Sequence, residues 1–95
     1  MPFAEEVLIV AKEIKDIEKK IKQILAEHLK FPIEEIGLNS LLVKELGMDS
    51  FAAIEIMYAI EEGFDIKVSE DEFFGLKTVK DIIEGIKTRL LLKKQ

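Results

Sequence analysis

The sequence predicts an all-α fold of four helices, and three observations lead there. An apolar stripe at alternating spacings of three and four opens the chain, helix-start signals recur three times further on, and no β-branched run alternates long enough to make a paired strand. At 95 residues the chain is the size of one small domain.

The first helix rests on Val7, Val10, Ile14, Ile17, Ile21 and Ile24, which share one face at 3.6 residues per turn. It is expected to run to Leu29, with Asp16 set four before Lys20 and Glu18 four before Lys22 on its solvated side. Pro32, in "KFPIEEIGLNS", removes a backbone donor and disfavours helix at Phe31, so a long loop follows. The second helix is "DSFAAIEIMYAIEEGF". Asp49 is its N-cap, Ser50 its first residue, and Ile54, Met57 and Ile60 or Phe64 supply its inner face. Gly63 falls near its end, where a glycine takes a left-handed conformation without steric cost. "SEDEF" places Ser69 and Glu72 in capping-box spacing before a short third helix that Gly75 curtails. "TVKD" repeats the signal with Thr78 and Asp81 before the last helix, which "RLLLKKQ" extends and then frays.

Composition narrows the function. With 48% hydrophobic and 35% charged residues the chain reads as a soluble globular domain, and its apolar runs fall far short of the roughly 20 residues that a stable membrane insertion needs. Nineteen acids against 14 bases give a net charge of −5, which argues against nucleic acid and towards basic protein partners. The absence of cysteine excludes disulfides, thiolate metal sites and thiol catalysis. The opening "MPFAEEVLIVAKEIK" has acids where a signal peptide needs bases, so a cytoplasmic protein is expected.

No catalytic residue is expected either. Ser50 follows a turn as a nucleophile would, but the sole histidine, His28, lies at the end of the first helix, too far along the chain to suggest a base. Glu70, Asp71 and Glu72 occupy a first helical turn, where the dipole favours negative charge, and lack the spacing and turn glycine of a calcium loop, so no metal site is read. Phe73 and Phe74 read as core or groove residues. What remains is Ser50 as the recipient of another protein's chemistry. A hydroxyl at a first helical turn, held out by Gly47, Met48 and Asp49, is open to a visiting enzyme, and the helix N-terminus stabilises a phosphodiester there. Plain capping is the competing reading of an Asp-Ser pair.

The stretch "ELGMDSFAAIEIMYAIEEGFDIKV" resembles the centre of an acyl carrier protein, in which a Gly-X-Asp-Ser-Leu element opens an acidic recognition helix ending in Glu-Glu and a phenylalanine. "IEKKIKQILAEHL" is similar to that family's first helix, "PIEEIGLNSLLVKELG" to its long first loop, and "LKTVKDIIEGI" to the start of its last helix. The resemblance implies a four-helix bundle of acyl-carrier-protein type with a long first loop, a short third helix and an extended first helix. It divides the chain into an N-terminal helical extension over 1–16, a carrier domain over 17–88 and a helix end and tail over 89–95.

The resemblance also implies the function. Ser50 is where a phosphopantetheinyl transferase would attach 4′-phosphopantetheine from coenzyme A, using a magnesium ion held in the transferase, with Asp49 capping the helix and helping to position Ser50 and the metal. The arm's thiol would carry an acyl group as a thioester, making the chain a phosphoprotein and a substrate of partner enzymes in fatty acid, lipid or polyketide-type biosynthesis. Glu55, Glu61 and Glu62 fall where the family presents acids to acyl-transferring and ketoacyl-synthase-type enzymes. Ile54, Met57, Ile60, Leu76 and Ile82 would line a space that opens to an acyl chain. The chain is expected to be a monomer.

The sequence departs from the family pattern at Phe51, where leucine is usual, at Ala52 and Ala53, which leave the early second helix without an acid, at Gly63, which interrupts the acidic run, and in its first sixteen residues. These departures suggest a specialised carrier with a restricted partner set, for which Phe51, if exposed, is the natural anchor. A Phe51 turned inward as a larger core residue is the alternative. The unbroken stripe of Val7, Val10 and Ile14 suggests that the first helix projects past the bundle, covered by "RLLL" in preference to another chain. The rival functional reading is an unmodified helical interaction module of the same fold.

Overall fold

The first helix, α1, covers Pro2–Leu29 and is 28 residues long, about 42 Å at 1.5 Å per residue. The computed structural model describes the backbone of residues 2–93 and the side chains of residues 15–92. Val7, Val10 and Ile14, and with them any contact of the extension with "RLLL", lie outside the described side chains. From Ile17 onward the buried line runs through Ile17, Ile21 and Leu25, four apart, while Ile24 packs half-buried beside it. The helix closes at Lys30, which takes a left-handed φ of 52°, and the Phe31 N–H donates back to the Ala26 carbonyl at 3.2 Å. That is the closure of a helix ended by a left-handed residue, here without the usual glycine.

A short 3-10 turn at Ile33–Glu35 starts the long loop, which is more than a connector. It buries Ile36, Leu42, Leu46 and Met48 in the core. Its carbonyls at Leu38 and Ser40 also accept the N–H groups of Lys80 and Val79, at 2.8 and 3.2 Å. Those donors belong to the first turn of the last helix, where no intrahelical acceptor exists. An isolated bridge between Leu41 and Thr78 is the nearest approach to sheet, and no strand forms among the described residues.

Helix α2 spans Ser50–Phe64 and buries Ala53, Ile56, Met57 and Ile60, a regular i, i+3, i+4, i+7 stripe. The inner face expected from sequence is corrected here. Ile54 is only half-buried, being rotated about 100° from Ala53, and Ile56 takes the core position instead. The C-terminal expectation is corrected too: Gly63 lies within the helix, and the left-handed residue is Asp65, with φ 54° and its N–H on the Glu61 carbonyl. Gly63 instead faces Lys20 of α1. The Lys20 Nζ donates to the Gly63 carbonyl at 2.7 Å and stands 5.0 Å from the centroid of the Phe64 ring, and a β-carbon on Gly63 would lie 3.4 Å from the Lys20 Cε.

The third helix, α3, is Glu70–Phe74, capped by Ser69, whose Oγ accepts from the Glu72 N–H at 3.2 Å. Only this half of the expected capping box is seen, because the Glu72 carboxylate pairs with Arg89. Phe73 enters the core while Phe74 faces out. The fourth helix, α4, covers Val79–Lys93 and has the full box: the Thr78 Oγ1 accepts from the Asp81 N–H, and the Asp81 Oδ2 accepts from the Thr78 N–H, each at 3.1 Å. Val79, Ile82, Ile83 and Ile86 complete the core. Residues at the ends of α2 and α4 line one groove, so these helices finish at one pole, and Ser50 opens α2 at the other.

Candidate functional site

The opening of α2 is fixed from several sides. Leu42 is tied to the segment leading into α4 by its N–H on the Lys77 carbonyl at 2.9 Å, and its own carbonyl accepts from the Met48 N–H at 2.9 Å. Buried Met48 anchors the turn. Gly47 has φ 75°, a conformation that only glycine adopts freely, and a β-carbon there would meet nothing within 4 Å, so backbone geometry rather than space requires it. Asp49 is extended, and its Oδ1 accepts from the Ala52 N–H at 2.8 Å.

Ser50 follows as the first helical residue, exposed and with no hydrogen bond from its hydroxyl to a described residue. The N–H groups of Ser50 and Phe51, ahead of the one that Asp49 takes, have no partner among the described residues either. An anionic phosphodiester fits such a position, where open donors and the helix dipole both favour negative charge. His28 is exposed in the last turn of α1, and the described residues hold no cluster of three potential metal ligands.

The remaining expected site residues separate into three places. Phe51 stands 73% exposed beside Ser50 and does not turn into the core. Ile54, half-buried, and Tyr58, 57% exposed, follow it at i+3 and i+7, forming an apolar strip on the outer face of α2. The sequence analysis names Phe51 as a partner anchor and Ile54 as an inner-face residue, and does not name Tyr58. Glu55 is exposed.

Glu61 and Glu62 lie eleven and twelve residues beyond Ser50, about 17 Å along the helix. They border an open groove of about 920 Å³ with Tyr58, Asp65, Ile66, Lys67, Arg89 and Leu92. Its distance separates that groove from the arm position. Glu61 is half-committed to structure, its Oε2 accepting from the Val68 N–H at 2.9 Å.

Ile60, Leu76 and Ile82 meet in the interior. With Val68, Phe73, Gly85, Ile86 and Arg89 they wall an apolar cavity of about 20 Å³ between α2, α3 and α4. Met57 is buried without reaching that wall, and Ile54 is not part of it.

This bundle, with an exposed serine opening its second helix, has the form of a carrier domain. Residues 19–86 match the family model described as the phosphopantetheine attachment site, and the chain belongs to that family, whose members carry 4′-phosphopantetheine covalently. Among solved structures the fold is similar to that of a protein from Mycobacterium tuberculosis described as a candidate acyl carrier protein, at 27% identity and a TM-score of 0.67, over 81% of this chain and 97% of that one. No curated protein matches significantly in sequence.

Proposed function

We propose that Ser50 is the attachment point and that the chain works as an acyl carrier. The observation that carries this reading is the exposed, unpartnered Ser50 hydroxyl at the first turn of a capped helix, inside the segment that matches the family. A phosphopantetheinyl transferase transfers the phosphopantetheinyl group of coenzyme A to the Ser50 oxygen, the adenosine bisphosphate portion leaves, and the serine proton goes to a base of the transferase. This explains a serine with no base of its own. The arm, once attached, supplies a thiol on which an acyl group rides as a thioester.

The chain's own residues then present that group. The strip of Phe51, Ile54 and Tyr58 beside Ser50 offers an apolar contact to acyl-transferring or ketoacyl-synthase-type enzymes, and Glu55 and Glu62 set encounter rate and discrimination against basic partners. No acid lies in the first turn of α2, so the contact nearest the arm is apolar. That favours a specialised carrier of fatty acid, lipid or polyketide-type assembly, monomeric and cytoplasmic. The test is incubation of purified protein with a broad-specificity transferase, magnesium and a fluorescent coenzyme A analogue. Label on the wild type and none on Ser50→Ala is expected. A wild type that stays unlabelled with several transferases would leave the unmodified interaction module in its place.

A further inference from the structure

The N–H groups that open α2 and α4 meet different fates. Those of Ser50 and Phe51 in α2 have no partner among the described residues. In α4 the Val79 and Lys80 N–H groups go to the Ser40 and Leu38 carbonyls of the long loop, and the Asp81 N–H goes to the Thr78 Oγ1. The Asp81 carboxylate, half-buried on the same turn, points back ahead of the helix. Its Oδ2 accepts from both the Lys77 N–H at 3.0 Å and the Thr78 N–H at 3.1 Å, and neither of these has another acceptor among the described residues.

The Lys77 carbonyl and the Thr78 N–H belong to one peptide unit, which is planar and trans, so they point in opposite directions. Fixing one aims the other. On the far side of that unit the Lys77 carbonyl accepts from the Leu42 N–H at 2.9 Å, and the Leu42 carbonyl accepts from the Met48 N–H at 2.9 Å. Leu42 and Met48 are both buried, so these backbone groups have no water to turn to in exchange. Met48 is followed directly by Asp49, the cap of α2, and by Ser50. A line of hydrogen bonds thus runs from a carboxylate on α4 to the turn presenting a serine thirty-one residues earlier in the chain.

We infer that Asp81 is a positioning residue for the modification of Ser50, its carboxylate holding, through the peptide joining Lys77 to Thr78 and through Leu42, the turn on which the serine meets the transferase. This role rests on Ser50 as the attachment point. Asp81 touches no reacting atom. Its loss frees the turn, and small misplacements of a reacting group lower a rate steeply.

The test measures kcat/KM for loading by a broad-specificity transferase with a fluorescent coenzyme A analogue, in wild type, Asp81→Ala, Asp81→Asn and Thr78→Ala. Asp81→Ala is expected to load several times more slowly. Asp81→Asn, whose amide oxygen can accept both N–H groups, should load at close to the wild-type rate. Thr78→Ala removes the other half of the same capping box and leaves the Asp81 carboxylate in place, so it should melt lower yet load normally. Should Asp81→Ala melt too near the assay temperature, adding Gly85→Ala strengthens α4, because alanine is the better helix former and its β-carbon there meets no heavy atom within 4 Å. The pair is still expected to load slowly. Amide exchange supplies the local readout: in Asp81→Ala the Leu42 and Met48 N–H groups should exchange severalfold faster, beyond any change at Ile21 in the core of α1. Asp81→Ala loading at the wild-type rate, Asp81→Asn as slow as Asp81→Ala, or Thr78→Ala slowed equally would each overturn the role of Asp81 while leaving Ser50 as the carrier serine. A wild type that does not load would overturn both.

Discussion

At the opening of α2 the Asp49 carboxylate accepts from the Ala52 N–H, and an asparagine carbonyl can do the same. Capping and charge are thus separable at this residue. Asp49→Asn is expected to keep the stability of the wild type, whereas Asp49→Ala should lose about 1 kcal/mol in urea melts. If the carboxylate also positions Ser50 and the transferase's metal, both variants should take up the phosphopantetheine arm at least several times more slowly. An asparagine variant modified at the wild-type rate would assign Asp49 to capping alone. The neighbouring Phe51, 73% exposed, bears on partner choice. The double variant Phe51→Leu with Ala52→Asp, which restores the family's usual residue type at 51 and adds an acid to the bare first turns, is expected to accept acyl groups severalfold better from a generic malonyl transferase, with the gain shrinking as salt rises. Wild type already working as well as an ordinary carrier, with no gain in the variant, would show that these positions hold no partner information.

At the scale of elements, the start of α4 couples stability to pH. The Asp81 carboxyl is held below the usual aspartate range, first by the Lys77 N–H at 3.0 Å and then by the Thr78 N–H at 3.1 Å. A carboxyl whose pKa is lower folded than unfolded contributes its full stabilisation above the unfolded value, about 3.9, and loses it as pH falls towards the folded one. Wild type should therefore lose roughly 0.5–1 kcal/mol more than Asp81→Asn between pH 6 and pH 3, the usual size of a capping interaction. Urea melts across that range check it, and equal losses in both proteins would contradict it.

The caps of α2, α3 and α4 were legible because each depends on a few adjacent residues: Asp49 with Ala52, Ser69 with Glu72, Thr78 with Asp81. The phase of α2 was not. Every residue from Phe51 to Ile60 except Glu55 is apolar, so the pattern fits several rotations, and only packing against the rest of the bundle, α1 foremost, selects Ile56 over Ile54. The ends of α1 at Leu29 and of α2 at Phe64 fall where the sequence puts them, but the residues that close them were hidden for a different reason. Lys30 and Asp65 take left-handed conformations that local sequence disfavours, held by the Phe31 and Ile66 N–H groups reaching back to the Ala26 and Glu61 carbonyls. Glu72 satisfied the spacing of a capping box, yet its carboxylate goes to Arg89, seventeen residues away.

Over the whole molecule the two ends of the bundle differ. One pole presents Ser50 on a turn tied down by the long loop and α4, and the other gathers the ends of α2 and α4 around an open groove. Ile17 is the first buried residue among the described side chains, and the carrier domain matches from residue 19, so residues 1–16 are proposed to support the domain from outside it. Deleting 1–16 is expected to lower the melting temperature by several degrees and leave arm attachment intact, read by calorimetry and intact mass. Complete loss of folding would place the extension in the essential core.

The most direct measurement is mass spectrometry of the protein coexpressed with a broad-specificity phosphopantetheinyl transferase, first intact and then by fragmentation of the peptide that contains Ser50. One phosphopantetheine per chain, located on Ser50 and missing from Ser50→Ala, is the expected result. An unmodified wild type with several transferases, or an arm located on any other residue, would contradict the assignment of Ser50 as the carrier serine.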